Sequence, residues 1–308
     1  MPPLLEIPVN IEQINSSKGR FYTEGKKKYP SVTSVIDRFE DKTGLFNWQV
    51  SLGDKLIPKE QRVNFTEEEL IAKAYTLGKV EANKTRDKAA VIGTKKHKQI
   101  DTYVKNPQLY PIKEWEAILG KFLDFLQLTE PLAVEFKVFY ETTLDIEGKV
   151  VSPGQPAGFG GTFDHVGRVD GSRLIDRTTC LKIYEGMQFA MTDWKNTTKA
   201  KYPKGRNKNG QVYYPLLRYA LQISAYLGAF NKYTQGYYKL NRGYIVMCHP
   251  GCKAPFIYYF DPEAINWYWL NFRKMLAAYF FSIPFDWNKF ARESDARDLL
   301  GKRVDILK

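Results

Sequence analysis

Apolar and polar residues change their rhythm near Glu130: before it apolar positions recur at helical spacing, and after it they alternate. Thr66 followed by Glu67, Glu68 and Glu69 has the form of a capping box, which starts a helix through "ELIAKAYTLGKVEANKTRDKAAV". Further helices are expected over "GTKKHKQIDTYV" from Gly93 and "IKEWEAILGKFLDFLQL" from Ile112. "YPSVTSVID" (Tyr29 to Asp37) suits a short strand or the entry to a helix. Then come "LAVEFKVFYETTL" (Leu132 to Leu144), "GGTFDHVGRV" (Gly160 to Val169) and "MQFAMTDWKNT" from Met187, all rich in strand-forming residues. "PLLRYALQISAYLGAFN" from Pro215 reads as a buried helix. A closing pair of strands, "GYIVMCHP" and "PFIYYFD", precedes a helix over "PEAINWYWLNFRKMLAAYFF". The order predicts an α/β fold with a mixed β-sheet flanked by helices, preceded by a helical N-terminal region.

Composition adds a partner. The 308 residues are 44% hydrophobic, enough for one large domain or two small ones. Forty-six Lys and Arg against 34 Asp and Glu give a net charge of +12, which attracts polyanions, nucleic acid first among them. Aromatic residues make up 15% and offer faces for unpaired bases, although most fill the core. No run approaches the roughly 20 apolar residues of a membrane span, and "MPPLLEIPVN" lacks the form of a leader, so a soluble, cytoplasmic chain with no membrane partner is expected. Three cysteines, Cys180, Cys248 and Cys252, argue for a reducing compartment; "CHPGC" reads as a turn between strands in preference to a metal site. No phosphate-binding "GxxxxGK[ST]" is present, so no ATP is expected.

The candidate chemistry lies in "MTDWKNTTKAK" (Met191 to Lys201). Asp193 and Lys195 are two apart on a strand and share a face, and Asp164 sits on another strand behind two glycines that allow close approach of a ligand or a neighbouring backbone. Carboxylates converging across strands suit a hard divalent cation, and the lysine can orient a water or stabilise charge on a phosphate. The same pair also occurs as plain structure. The charged stretch "KYPKGRNKNG" that follows is a loop suited to a phosphate backbone or simply to solvent.

Taken in order, Glu135 in "VEFKV", "GGTFD" ending at Asp164, "TDWKNTTK" with Asp193 and Lys195, and "LQISAY" with Gln222 and Tyr226 resemble the motifs of the PD-(D/E)XK nucleases. With "GTKKH" ending at His97, the resemblance is to the RecB-like branch, which takes in mitochondrial genome maintenance and phage exonucleases. It spans roughly residues 29 to 230. It implies a restriction-endonuclease-like core over 131–250, an N-terminal region over 1–130 that forms part of the DNA channel, and a C-terminal strand and helices over 251–308. It also implies hydrolysis of DNA from single-stranded ends, with one or two Mg2+ or Mn2+ ions at Asp164, Asp193 and His97. Glu135, Lys195 and Gln222 are then catalytic, with Glu135 binding the metal directly or through water, while Tyr226, Thr197, Lys199 and Lys201 hold substrate. Replication or recombination proteins are the implied partners, in a bacterial cell or in the host of a phage. The three cysteines cannot build the iron-sulfur cluster that some relatives carry.

One spacing departs from the family. Its two acids usually stand about a dozen residues apart, one hairpin's worth, whereas Asp164 and Asp193 are much further apart and Asp176 in "LIDRTT" lies between them. Either the hairpin is lengthened by "CLKIYEGMQF" or Asp176 is the ligand; the lysine of "DWK" favours Asp193. Glu141 shares the face of Glu135 and stays open as its alternative, and His165 should point away from Asp164. A flap or branch endonuclease, or a non-catalytic DNA-binding protein on the same fold, are the other readings.

Overall fold

The computed structural model describes residues 4–6, 8, 10–16, 19–197, 202–206, 210, 212–248 and 254–307. The chain opens with three strands, β1 (Ile11–Ser16), β2 (Gly19–Glu24) and β3 (Lys27–Pro30), paired antiparallel in sequence order. In β1 only Ile11 is buried, so the strand carries no apolar alternation to betray it. "YPSVTSVID" divides at Ser31: the strand ends at Pro30 and α1 (Val32–Phe39) begins, with Ser31 Oγ accepting from the Ser34 N–H at 3.0 Å. The expectation of a mainly helical start is therefore corrected for residues 11–30.

Residues 40–98 form one compact unit. It holds α2 (Thr43–Asp54), α3 (Lys59–Arg62) and most of α4 (Glu67–Lys105). The capping box is present, with Glu69 N–H donating to Thr66 Oγ1 at 3.3 Å and Thr66 N–H to Glu69 Oε2 at 2.8 Å. α4 runs on through Gly93, where a second helix was expected to begin, since an interior glycine costs only about 1 kcal/mol. Gly78 has a packing reason. A Cβ there would lie 1.7 Å from the Gln49 carbonyl oxygen, and one on Gly53 would lie 1.7 Å from that of Ala74, so α2 and α4 cross backbone against backbone.

The other unit comprises residues 1–39 and 99–308. After α4 it continues with α5 (Ile112–Leu119) and α6 (Phe122–Leu126), then β4 (Thr129–Leu144), β5 (Gln155–Asp170), β6 (Leu174–Asp176) and β7 (Met187–Asn196). A two-residue pair, β8 (Gly205–Arg206) and β9 (Val212–Tyr213), leads to α7 (Leu217–Tyr233). β10 (Gly243–Cys248), β11 (Phe256–Phe260), α8 (Pro262–Phe281), α9 (Trp287–Ala296) and β12 (Lys302–Ile306) complete it. Seven strands form one sheet in the order β4-β5-β7-β10-β11-β12-β6. The fold is α/β with a mixed central sheet: β7 and β10 pair parallel, joined through α7, and the other neighbours pair antiparallel.

The sheet separates two cores. Phe136, Val138, Phe163, Met191 and Ile245 pack with α7 and α8 on one face, and Val134, Val169, Trp194, Tyr244 and Val246 pack with α5 and α6 on the other. Among the described residues no helix is long and apolar enough to cross a membrane.

Candidate active site

Strand alternation places β7 as the sequence suggests. Met191 belongs to the α7-side core, and Asp193 and Lys195 follow it on the same face, whereas Trp194 packs on the other. Asp193 is buried and Lys195 keeps 23% of its side chain exposed. The ammonium lies 2.8 Å from each Asp193 oxygen and 5.1 Å from the centre of the Tyr219 ring. Burial alone would lower the pKa of Lys195, but the charges of Asp193 and Asp164 outweigh it and hold the pKa above the ordinary lysine value. The carboxylates beside it thus hold Lys195 in its charged form.

β4 and β5 contribute the acids by breaking their own alternation. Their pairing passes from Val134↔His165 to Phe136↔Phe163, which leaves Glu135 and Asp164 on the intervening rung. Phe136, Val138 and Tyr140 face the α7-side core, yet Val134, of the same parity, joins the opposite one. β5 switches at the same level: Phe163 and Val166 both join the α7-side core, while His165 turns its ring to Trp194 at 5.8 Å. Glu135 takes φ +45°, a left-handed conformation costly for a side-chain-bearing residue, and this is the local cause of the switch. A carboxylate oxygen of Glu135 and one of Asp164 lie within 4.8 Å of each other. Asp164 Oδ2 also accepts the backbone N–H of Trp194 at 2.8 Å, which ties it to the strand carrying Asp193 and Lys195.

α7 covers this end of the sheet with Gln222 and Tyr226, whose Nε2 and hydroxyl are 3.4 Å apart. Burial pushes the Tyr226 phenol above its ordinary pKa, and the charges of Asp193 and Asp164 act in the same direction, so it stays a neutral donor. The glycines before Asp164 admit aromatic rings of this chain and not a ligand. A Cβ on Gly160 would lie 2.2 Å from Tyr22, and one on Gly161 would lie 2.2 Å from Tyr226. Tyr22 in turn reaches Thr162 Oγ1 at 3.2 Å.

The remaining residues fall as follows. Asp176 ends β6, which pairs with β12 at the edge of the sheet opposite β4. Its Oδ1 accepts the N–H groups of Thr178 and Thr179 in a turn, and among the described residues it is not grouped with Glu135 and Asp164. The unusual spacing is the excursion 171–186, which leaves β5 and β7 paired from Asp170↔Met187 to His165↔Thr192. Glu141 binds Lys27 at 2.7 Å and stands away from the acids. The acid within ligand distance of Asp164 is Glu135, whereas Asp193 turns both oxygens to Lys195. Thr197 donates its N–H to the Cys248 carbonyl at 3.0 Å. His97 lies in the unit of residues 40–98, on the face of α4 that continues through Ile100 and Val104. Lys199, Lys201 and Cys252 lie outside the described residues. Tyr219, which ends "YYPLLRY" one turn before Gln222, is one of the aromatics the sequence offers for stacking bases; its place beside Lys195 was not foreseen, because a tyrosine in an apolar helix reads as core.

Two carboxylates supply only oxygen donors, which suits Mg2+, Mn2+ or Ca2+ over softer ions. No protein-family model matches the chain, and no curated protein matches it. Among solved structures it is similar to the crystal structure of SSO0001, at 15% identity and a TM-score of 0.22, over 67% of this chain and 71% of that one.

Proposed function

We propose that the chain is a metal-dependent deoxyribonuclease with a PD-(D/E)XK core that degrades DNA from single-stranded ends. The observation that carries this reading is the meeting of Glu135 and Asp164 on one rung, tied through the Trp194 N–H to the strand that bears Asp193 and Lys195. The spacing that departed from the family is accounted for by the excursion 171–186, which leaves Asp164 and Asp193 on paired strands.

In this reading Glu135 and Asp164 hold the divalent cation. The cation, when bound, supplies Lewis-acid activation of the phosphate and of a water. The chain's own groups do the rest. Lys195, held by Asp193 and backed by Tyr219, presents positive charge to the phosphate oxygens as charge develops on them and assists the attacking water. Tyr226 and Gln222 offer neutral hydrogen-bond donors from α7. The net charge of +12 draws the polyanion in, so binding weakens steeply with salt. DNA replication, recombination or repair in the cytoplasm is the setting of such an activity.

Labelled linear single strands, duplexes and closed single-stranded circles, each incubated with Mg2+, Mn2+ or EDTA, test the proposal. Linear strands should shorten from an end only when metal is present. Equal cutting of circles replaces the exonuclease by an endonuclease, and inertness with every metal removes the catalytic reading.

A further inference from the structure

At the opposite end of β4 the molecule has a concave feature. A cleft of about 460 Å³ lies between the turn joining β4 to β5, the outer face of α8 and the segment after it. That is the size of small-ligand and peptide sites. Roughly 30 Å of strand separates it from Glu135, counted from Leu144.

Its walls are held in place. Asp145 Oδ1 accepts the N–H groups of Glu147 and Lys149 at 2.9 and 2.8 Å, which closes the turn. Gly148, at φ +78°, lies directly on α8, where a Cβ would be 2.5 Å from the Lys274 nitrogen. The far wall starts at Ser282, whose left-handed conformation ends α8 and lets Ile283 N–H bond the Ala278 carbonyl at 3.1 Å. A cleft framed this way is open before any ligand arrives, which removes an ordering cost from binding.

Its chemistry is two-sided. Ile146, Leu270, Ile283 and Phe285 make it apolar, with Ile146 57% and Leu270 38% exposed. Lys149, Arg273 and Lys274 supply cations, against the single acid Glu147, which pairs with Lys149 at 2.5 Å. The Arg273 Nε–H is buried, and among the described residues it has no hydrogen-bond acceptor. The guanidinium itself lies 5.7 Å from the centre of the Trp269 ring, and its cationic fork is a natural complement for a carboxylate.

We infer that this cleft docks a peptide segment of a partner protein in which carboxylates stand beside an aromatic or aliphatic side chain, the acids on Arg273 and Lys274 and the apolar group on Leu270 and Phe285. A nucleic acid is the poorer fit, because Glu147 in the lining repels phosphates and the Trp267 ring is already faced by the Arg297 guanidinium at 4.4 Å.

The probe is a fluorescein-labelled synthetic peptide of three aspartates followed by isoleucine and phenylalanine, titrated with the full chain and read by anisotropy. Saturable binding is expected, weakened tenfold or more when asparagines replace the aspartates or serines replace the two apolar residues. K149E/K274E, changed at two exposed positions, should weaken it by the same order while the circular dichroism and metal-dependent cleavage stay unchanged. R273Q tests the guanidinium separately and should weaken binding as well. No saturable binding by the folded wild type, or equal binding by K149E/K274E and R273Q, overturns the inference. Displacement of the peptide by a single-stranded oligonucleotide but not by unlabelled peptide assigns the cleft to nucleic acid and overturns it as well.

Discussion

Glu135 and Asp164 stand on the one rung of the β4–β5 ladder at which both strands exchange the faces they show to the two cores. The exchange brings two carboxylates within 4.8 Å at a single level of the sheet. It costs a left-handed backbone at Glu135 and a like-charge contact, two local penalties of the kind that concentrate at functional sites.

A divalent cation should relieve that contact and stabilise the fold. At a concentration about 100 times its Kd, Mn2+ or Mg2+ should add about 2.7 kcal/mol, read as a rise in Tm by scanning calorimetry. Glu135→Gln and Asp164→Asn should each lose most of the rise; variants that keep it in full place the cation elsewhere.

Glycine tolerates a φ of +45° that glutamate does not. Glu135→Gly should therefore leave metal-free stability unchanged or raise it by up to about 1 kcal/mol, in urea titration, while abolishing cleavage. A large loss of stability would mean that the side chain holds the fold and not the reaction.

The Asp193–Lys195 pair predicts a strong coupling. Lys195→Met leaves a buried carboxylate without its ammonium, which should cost about 3 kcal/mol, the low end for buried pairs because Lys195 keeps 23% exposure. The double variant Asp193→Asn, Lys195→Met should be more stable than the sum of its parts. Additivity in the urea-based cycle would show that the two do not interact in solution.

His165 is fully buried, and desolvation lowers its pKa to about 4 despite the opposing charge of Asp164. The unfolded chain takes up this proton near 6.5, before the folded one does. Its contribution to stability is thus complete above pH 6.5 and fades as the pH falls toward 4, by about 3 kcal/mol in all. His165→Leu should flatten the pH dependence of the urea midpoint over that range; an unchanged slope would assign the loss to other groups.

Much of this was legible in the sequence. The capping box at Thr66, the strands of "LAVEFKVFYETTL", "GGTFDHVGRV" and "MQFAMTDWKNT", and the shared face of Asp193 and Lys195 all follow from short-range rules that the structure obeys. What stayed hidden depends on long-range pairing. β1 buries one residue and shows no alternation, β6 is three residues long and joins the sheet only through β12, and the excursion 171–186 hid the pairing of β5 with β7. The pattern "AVEFKVFY" places Val134 and Phe136 on one face, and only the backbone at Glu135 parts them. That same irregularity makes Glu135 the acid beside Asp164.

Gly161 gives the last test, because its two readings differ in outcome. If the glycine keeps space for substrate, Gly161→Ala should leave stability unchanged and impair only DNA binding. The structure instead fills the space with the Tyr226 ring, 2.2 Å from the would-be Cβ. α7 cannot easily withdraw, since Gly228 packs against Trp269 of α8, 2.8 Å from its own would-be Cβ. Overpacking of this kind costs about 1–3 kcal/mol, so Gly161→Ala should lower the urea midpoint and Gly161→Ala with Tyr226→Leu should restore much of it. Full stability of the single variant, with weakened binding of a single-stranded oligonucleotide, would return Gly161 to the substrate path.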